Sequence, residues 1–177
     1  MIYLDMDGVI ADFFGGVAKH FGVSHWKSIQ DREIAFATLA NTDFFDSLDC
    51  FFDEKNANLS AIIVDHVKHF AFSEDIAWGI CSSPMRGDHY NSAYWKRVWL
   101  NRMGFMPPLV ENCVFTSNKH KYAMSKLDYR PNILIDDKPE NIARWEKEGG
   151  IGIRFQCNED DVDEYLFPAL KDALTCR

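Results

Sequence analysis

The sequence has no CxxC pair and no closely spaced even set of cysteines. Its five cysteines, at positions 50, 81, 113, 157 and 176, are scattered through 177 residues. That pattern excludes a small disulfide framework and a cysteine-based zinc site, and it points to reduced thiols in an intracellular setting. Long apolar runs are missing too, and none approaches the ~20 residues of a membrane-spanning helix. No basic segment leads into an apolar stretch at the N-terminus, so no secretory signal is expected. The expectation is a cytoplasmic protein with no membrane partner. Positive charge is scarce: 19 Lys and Arg face 27 Asp and Glu, a formal net charge of −8. Such a balance argues against a stable nucleic-acid partner. A small anion stays admissible, because a bound cation can invert the local field. There is no internal repeat and no low-complexity tract.

What the chain does have is core material. Hydrophobic residues make up 47% of it and aromatics 14%, which excludes disorder and fits one core with a small insertion. Met1–Leu4 reads as a short buried strand, and a helix is predicted from about Ala11 to Phe21, with Phe14, Val17, Ala18 and Phe21 at helical spacing. From 25 to 72 strand signals are weak, and two helical stretches, 32–39 and 59–70, flank "TDFFDSLDCFFDE"; this reads as a helical insertion. "DIAWGICSS" is a buried strand, and "NSAYWKRVWLNRMGF" a helix with Tyr94, Val98 and Met103 in one stripe and Trp95 and Trp99 alongside. "NCVFTSN" is a short strand, "NILIDDKPENIARWEKEGG" a strand, loop and helix stopped by glycine, and "IGIRF" a last strand. The closing helix, "DVDEYLFPALKDAL", carries a bend at Pro168. Strands alternating with helices predict an α/β fold, a Rossmann-like parallel sheet flanked by helices.

Four of these strands end in residues able to do chemistry. Asp5 and Asp7 follow the first, Ser82 and Ser83 the second, Thr116 to Lys119 the third, and Asp136 and Asp137 the fourth. In an open parallel sheet the carboxyl ends share one edge, so these residues can meet in one pocket. Acids, hydroxyls and a lysine together suit phosphoryl transfer. A carboxylate can attack phosphorus, a second acid can shuttle protons, and lysine and hydroxyls can hold phosphate oxygens. Mg²⁺, which prefers oxygen ligands, would offset the repulsion between the carboxylates and the phosphate.

"DMDGVIADF", "ICSSP", "SNK" and "ILIDDKPENI" resemble, in that order, the four motifs of the haloacid dehalogenase-like phosphohydrolases. The likeness is greatest to the 5'(3')-deoxyribonucleotidases and their phage and bacterial relatives, whose cap "TDFFDSL" also resembles. The resemblance implies a catalytic core of 1–24 and 73–177 and a small helical cap of 25–72, inserted after the first strand and helix. It implies Asp5 as nucleophile and Mg²⁺ ligand, and Asp7 as general acid/base with its backbone carbonyl on the metal. Ser82, Ser83 and Lys119 would bind phosphate. Asp137 would ligate the metal directly, and Asp136 directly or through water. Phe13 would stack on a base, with Phe44, Phe45 and Trp26 as cap candidates by location. Lys121 rivals Lys119, and Ser117 stands where well-known members carry arginine. The implied substrate is a deoxynucleoside monophosphate. Another small phosphate, a polynucleotide 3'-phosphate, or a receiver-type module that accepts phosphate on Asp are the alternatives. Whether the chain forms a homodimer stays open.

Overall fold

The computed structural model describes residues 1–177. Five short strands, β1 (Ile2–Leu4), β2 (Trp78–Ser82), β3 (Cys113–Phe115), β4 (Ile133–Asp136) and β5 (Ile151–Arg154), pair in the order β3-β2-β1-β4-β5, all parallel. The helices are α1 (Phe13–His20), α2 (Arg32–Thr38), α3 (Leu59–Ser73), α4 (His89–Arg102), α5 (Pro139–Lys147) and α6 (Phe167–Thr175). The architecture is therefore α/β with a parallel sheet covered on its faces. No helix is long and apolar enough to cross a membrane.

The period of two along each strand sorts its residues between two cores. Ile2, Leu4, Ile80, Ile133 and Ile135 share the larger core with residues of α1, α3, α4 and α6, among them Val17, Ile63, Trp99 and Leu170. Tyr3, Cys81 and Leu134 turn the other way and pack against Ile142 and Trp145 of α5. Two strand glycines serve close approach on that second side. A Cβ on Gly79 would lie 2.3 Å from the Asn112 carbonyl oxygen, and one on Gly152 would lie 2.6 Å from Ile142 Cγ2.

α3 belongs with the sheet. Its Ile63, Val64, Val67 and Ala71 are buried in the same core as β1 and β2, although the sequence pattern places residues 59–72 in the insertion. Between α1 and α3 the chain forms α2 and the short turns Trp26–Ser28 and Phe44–Ser47, and Phe44 and Phe45 of the second turn enter the same core. The second of these turns is tied to α4. Trp99 Nε1 donates to the Leu48 carbonyl (2.7 Å), Asn91 Nδ2 to that of Thr42 (2.9 Å), and Arg102 Nε to Asp46 Oδ1 (3.0 Å).

In α4, Trp99 is buried and Trp95 and Met103 pack against the core as expected, while Tyr94 is 58% exposed and Ser92, Lys96 and Leu100 join Trp99 on the buried face. The closing helix is continuous from Val162, a wide π-type turn over Val162–Leu166 running directly into α6, and the change of helical form falls beside Pro168.

β1 is the central strand. The chain runs from it to β2 and β3 on one side, then returns to β4 on the other. Its carboxyl end and that of β4 therefore flank the point where strand order reverses, the place where ligands lodge in open parallel sheets.

Candidate active site

The turn after β1 is built by its own backbone. Asp5 N donates to the Ile135 carbonyl at 2.8 Å, and Ile10 N and Ala11 N both donate to that of Met6 (3.0 and 2.9 Å). Gly8 sits at φ +79°, and a Cβ there would lie 3.0 Å from Asp137 Cγ. Glycine is thus required twice, by the left-handed backbone and by the neighbouring acid. The third acid of the opening stretch, Asp12, serves the helix that follows. Its Oδ1 accepts from Gly15 N at 2.8 Å and caps α1.

Lys119 forms one corner of the site. It opens the short turn Lys119–Tyr122 after β3, is 2% exposed, and places Nζ 2.9 Å from Asp5 Oδ2 and 2.5 Å from Asp136 Oδ2. Burial alone would raise the Asp5 carboxyl, yet Lys119, with Lys96 and Lys138 further off, holds it below the usual carboxylate range. Burial would likewise lower Lys119, but Asp5 and Asp136 hold it above the usual lysine range. Lys121 is exposed and lines a separate cavity with Tyr3 and Tyr122. Lys119, and not Lys121, therefore reaches the acids.

Asp136 is committed to this corner. Its Oδ1 accepts from Lys138 N (2.9 Å), and Asn141 Nδ2 reaches both its oxygens at 3.0 Å, in addition to the Lys119 bond. Asp136 thus positions Lys119, and its carboxylate also lies in the acidic group beside Asp5 and Asp137.

Lys96 forms the second corner. It projects from α4, is 0% exposed, and donates to Asp7 Oδ2 (2.6 Å), Ser82 Oγ (3.0 Å) and the Ser83 carbonyl (2.8 Å). Ser82 is buried on this lysine. Ser83 Oγ makes a long bond, 3.4 Å, to the Thr116 carbonyl.

Asp137 lies between the corners. Its carboxyl is pushed up to about 7, first by burial and then by the charge of Asp5. Carboxylate oxygens of Asp5, Asp136 and Asp137 lie within 4.8 Å of one another, while the Asp7 side chain stands outside that group. Asp137 Oδ1 and Asp7 Oδ1 are both buried without a hydrogen-bond partner. Buried carboxylate oxygens are rarely left so. An all-oxygen donor set with an orphaned oxygen fits a hard divalent cation such as Mg²⁺, with Asp5, Asp136 and Asp137 as the carboxylates placed to hold it.

Beside these acids lies a cavity of about 750 Å³, lined by Asp7, Ser83, Asp137 and Lys138 and by aromatic residues that include Phe13, Phe36 and Phe45. Phe44 does not line it. Its ring is buried in the core, against Phe13, Phe45 and His20, which overturns its place among the pocket residues. Trp26 stacks on Phe14 at 4.9 Å and lies outside the lining. His66, a turn from His69 on α3, stacks on Phe167 at 3.8 Å, and neither histidine joins a metal-ligating group.

No family model matches the chain, and no curated protein matches it. The residues that sequence reasoning missed are Lys96, Asn141, Lys138 and Phe36. Lys96 stands four residues after Ser92 and three before Trp99, on the face of α4 that is buried, and a lysine there carries no local sign of it. Asn141 carries none either.

Proposed function

We propose that this protein is a Mg²⁺-dependent phosphomonoesterase of the haloacid dehalogenase-like kind, acting on a small phosphate, with a deoxynucleoside monophosphate as the substrate the cavity suits best. The observation that carries this reading is Asp5. It is an ionised carboxylate, 2% exposed, fixed by Met6 N and Lys119 and set beside a second acid with an unpartnered oxygen. Burying such a group is costly unless its charge has a use.

Asp5 attacks phosphorus, the bond to the ester oxygen breaks, and an aspartyl-phosphate forms. Asp7, protonated once the phosphate has drawn Lys96 away from it, gives that proton to the leaving oxygen, then takes one from the water that hydrolyses the acyl phosphate and frees the Asp5 carboxylate. Lys119, Lys96 and Lys138 are the ammonium groups beside the acids, and Lys138 lines the cavity itself. In the free protein Lys96 bonds Asp7 and Ser82, so an arriving phosphate dianion competes for it and releases Asp7 for proton transfer. A bound Mg²⁺, held by Asp5, Asp136 and Asp137, supplies charge neutralisation between carboxylate and phosphate. The aromatic side of the cavity supports a ligand with a flat apolar part, which favours a nucleotide over a sugar phosphate.

The test is phosphate release from a panel of nucleotides and sugar phosphates, with Mg²⁺ and with EDTA. Release that needs Mg²⁺ and is lost in Asp5→Asn supports the reading. Full activity in metal-free buffer sinks it.

A further inference from the structure

The cavity has charged groups that the hydrolysis does not use. Glu33, on α2, and Arg86, in the loop after β2, both line it and are both exposed. Neither takes part in any ion pair of the chain, with the other or with a third residue. A sequence of contacts leads from the phosphate-handling groups to Glu33. Lys96 Nζ, which bonds Asp7, lies 4.8 Å from the centre of the Phe45 ring. Phe45 stacks with Phe13 at 6.1 Å and 18°, and Phe13 lies 6.1 Å from Phe36. Glu33 is one turn before Phe36 on the same helix. Charge is thus handled at the start of this path, flat rings line its middle, and an acceptor without a protein partner closes it.

From this arrangement we infer that Glu33 and Arg86 select the base of the substrate, and that they select bases carrying both an amino donor and a carbonyl acceptor. The inference rests on the phosphomonoesterase reading. A carboxylate accepts only, and it suits the N4 amino group of cytosine or the N1–H and N2 amino group of guanine. A guanidinium donates only, and it suits guanine O6 and N7 or the cytosine carbonyl. Adenine has the amino group and no carbonyl. Thymine has no amino group, and the N3–H it offers lies between two carbonyl oxygens whose lone pairs face an approaching carboxylate. Both side chains are solvated when the cavity is free, so the discrimination belongs at the low end for paired polar contacts.

The measurement is kcat/KM with Mg²⁺ for dGMP, dCMP, dAMP and dTMP, each divided by the value for 2-deoxyribose 5-phosphate on the same protein. Dividing in this way cancels losses of folded or active enzyme. The expected result is a preference of about 5-fold or more for dGMP and dCMP over dAMP and dTMP. Glu33→Gln and Glu33→Ala should each reduce that preference at least about threefold, and Arg86→Ala should cut dGMP most. Wild type that treats the bases alike, or prefers dTMP or dAMP, overturns the inference, as does selectivity that survives in Glu33→Ala. If 2-deoxyribose 5-phosphate is hydrolysed with Mg²⁺ and the bases make no difference, the inference falls and the phosphomonoesterase reading stands. If no phosphomonoester is hydrolysed, both fall.

Discussion

The two lysine corners of the site use the same chemistry in different surroundings. Lys119 and its acids are sealed, with side chains 2%, 3% and 0% exposed for Lys119, Asp5 and Asp136. Lys96 is as deeply buried, but its partner Asp7 is 16% exposed and faces the cavity. A sealed ion pair is rigid, and removing one member leaves a charge that cannot hydrate. A pair open on one side can exchange its partner for a ligand. The difference suits a fixed attacking group at the first corner and a proton carrier at the second.

The largest expected effect separates the two acids. Asp5→Asn should cut steady-state turnover by about a thousandfold or more and leave no phosphorylated protein after rapid quench with p-nitrophenyl phosphate. Asp7→Asn should still accept phosphate from that good leaving group and then stall. Intact-protein mass reads both outcomes. A wild-type level of adduct in Asp5→Asn, or normal turnover in Asp7→Asn, would break the comparison.

Next comes stability. Lys119→Met strands Asp5 and Asp136 and should cost about 3–5 kcal/mol in urea unfolding. Lys96→Met strands one charge, the half-open Asp7, beside the neutral Ser82 Oγ and Ser83 carbonyl, and its cost should be about half as large. Equal losses would show that the two corners are not distinct.

Asp137 sharpens the comparison through pH. Its folded carboxyl sits at about 7 against 3.8 for the free group. The folded state therefore binds a proton more tightly than the unfolded chain, and stability must fall as pH rises through the window between those values. In EDTA the melting temperature should drop between about pH 5 and pH 7. Asp137→Asn should flatten that slope. Mg²⁺, which binds the ionised acid, should raise the upper end of the curve. A slope untouched by either change would remove Asp137 from the cation site.

The smallest effect is the control. Asp12→Ala removes the cap of α1 and should cost about 1 kcal/mol of stability, with kcat unchanged. A collapse in kcat would make Asp12 part of the chemistry.

The strands and their polar ends were legible because each strand is an apolar run short enough to be read locally, and a parallel sheet puts all such ends on one edge. That reasoning reaches Asp5, Asp7, Ser82, Lys119 and Asp137. It does not reach Lys96 or Asn141, which come from helices. A lysine inside a helix is by composition a surface residue, and only the packing of α4 on the turn that precedes Leu48 turns that face inward. The exposed Tyr94 has the same origin: several aromatics around one helix leave more than one apolar face to choose from. Phe44 and Phe45 were inseparable for a related reason. Both are buried in the core, and neighbouring residues of equal hydrophobicity carry no local sign of which one also borders the cavity.

The sequence by itself determined the α/β alternation, the turn at Gly8 and the acids at the strand ends, since these depend on interactions within a few residues. The tertiary structure alone decided which lysine meets which acid, that Asp136 accepts from nitrogen donors on both oxygens, and that Asp137 keeps one free. Those outcomes depend on distances of a few ångströms between segments far apart in the chain, and charge pairing at that range is set by packing and burial, which no local pattern encodes.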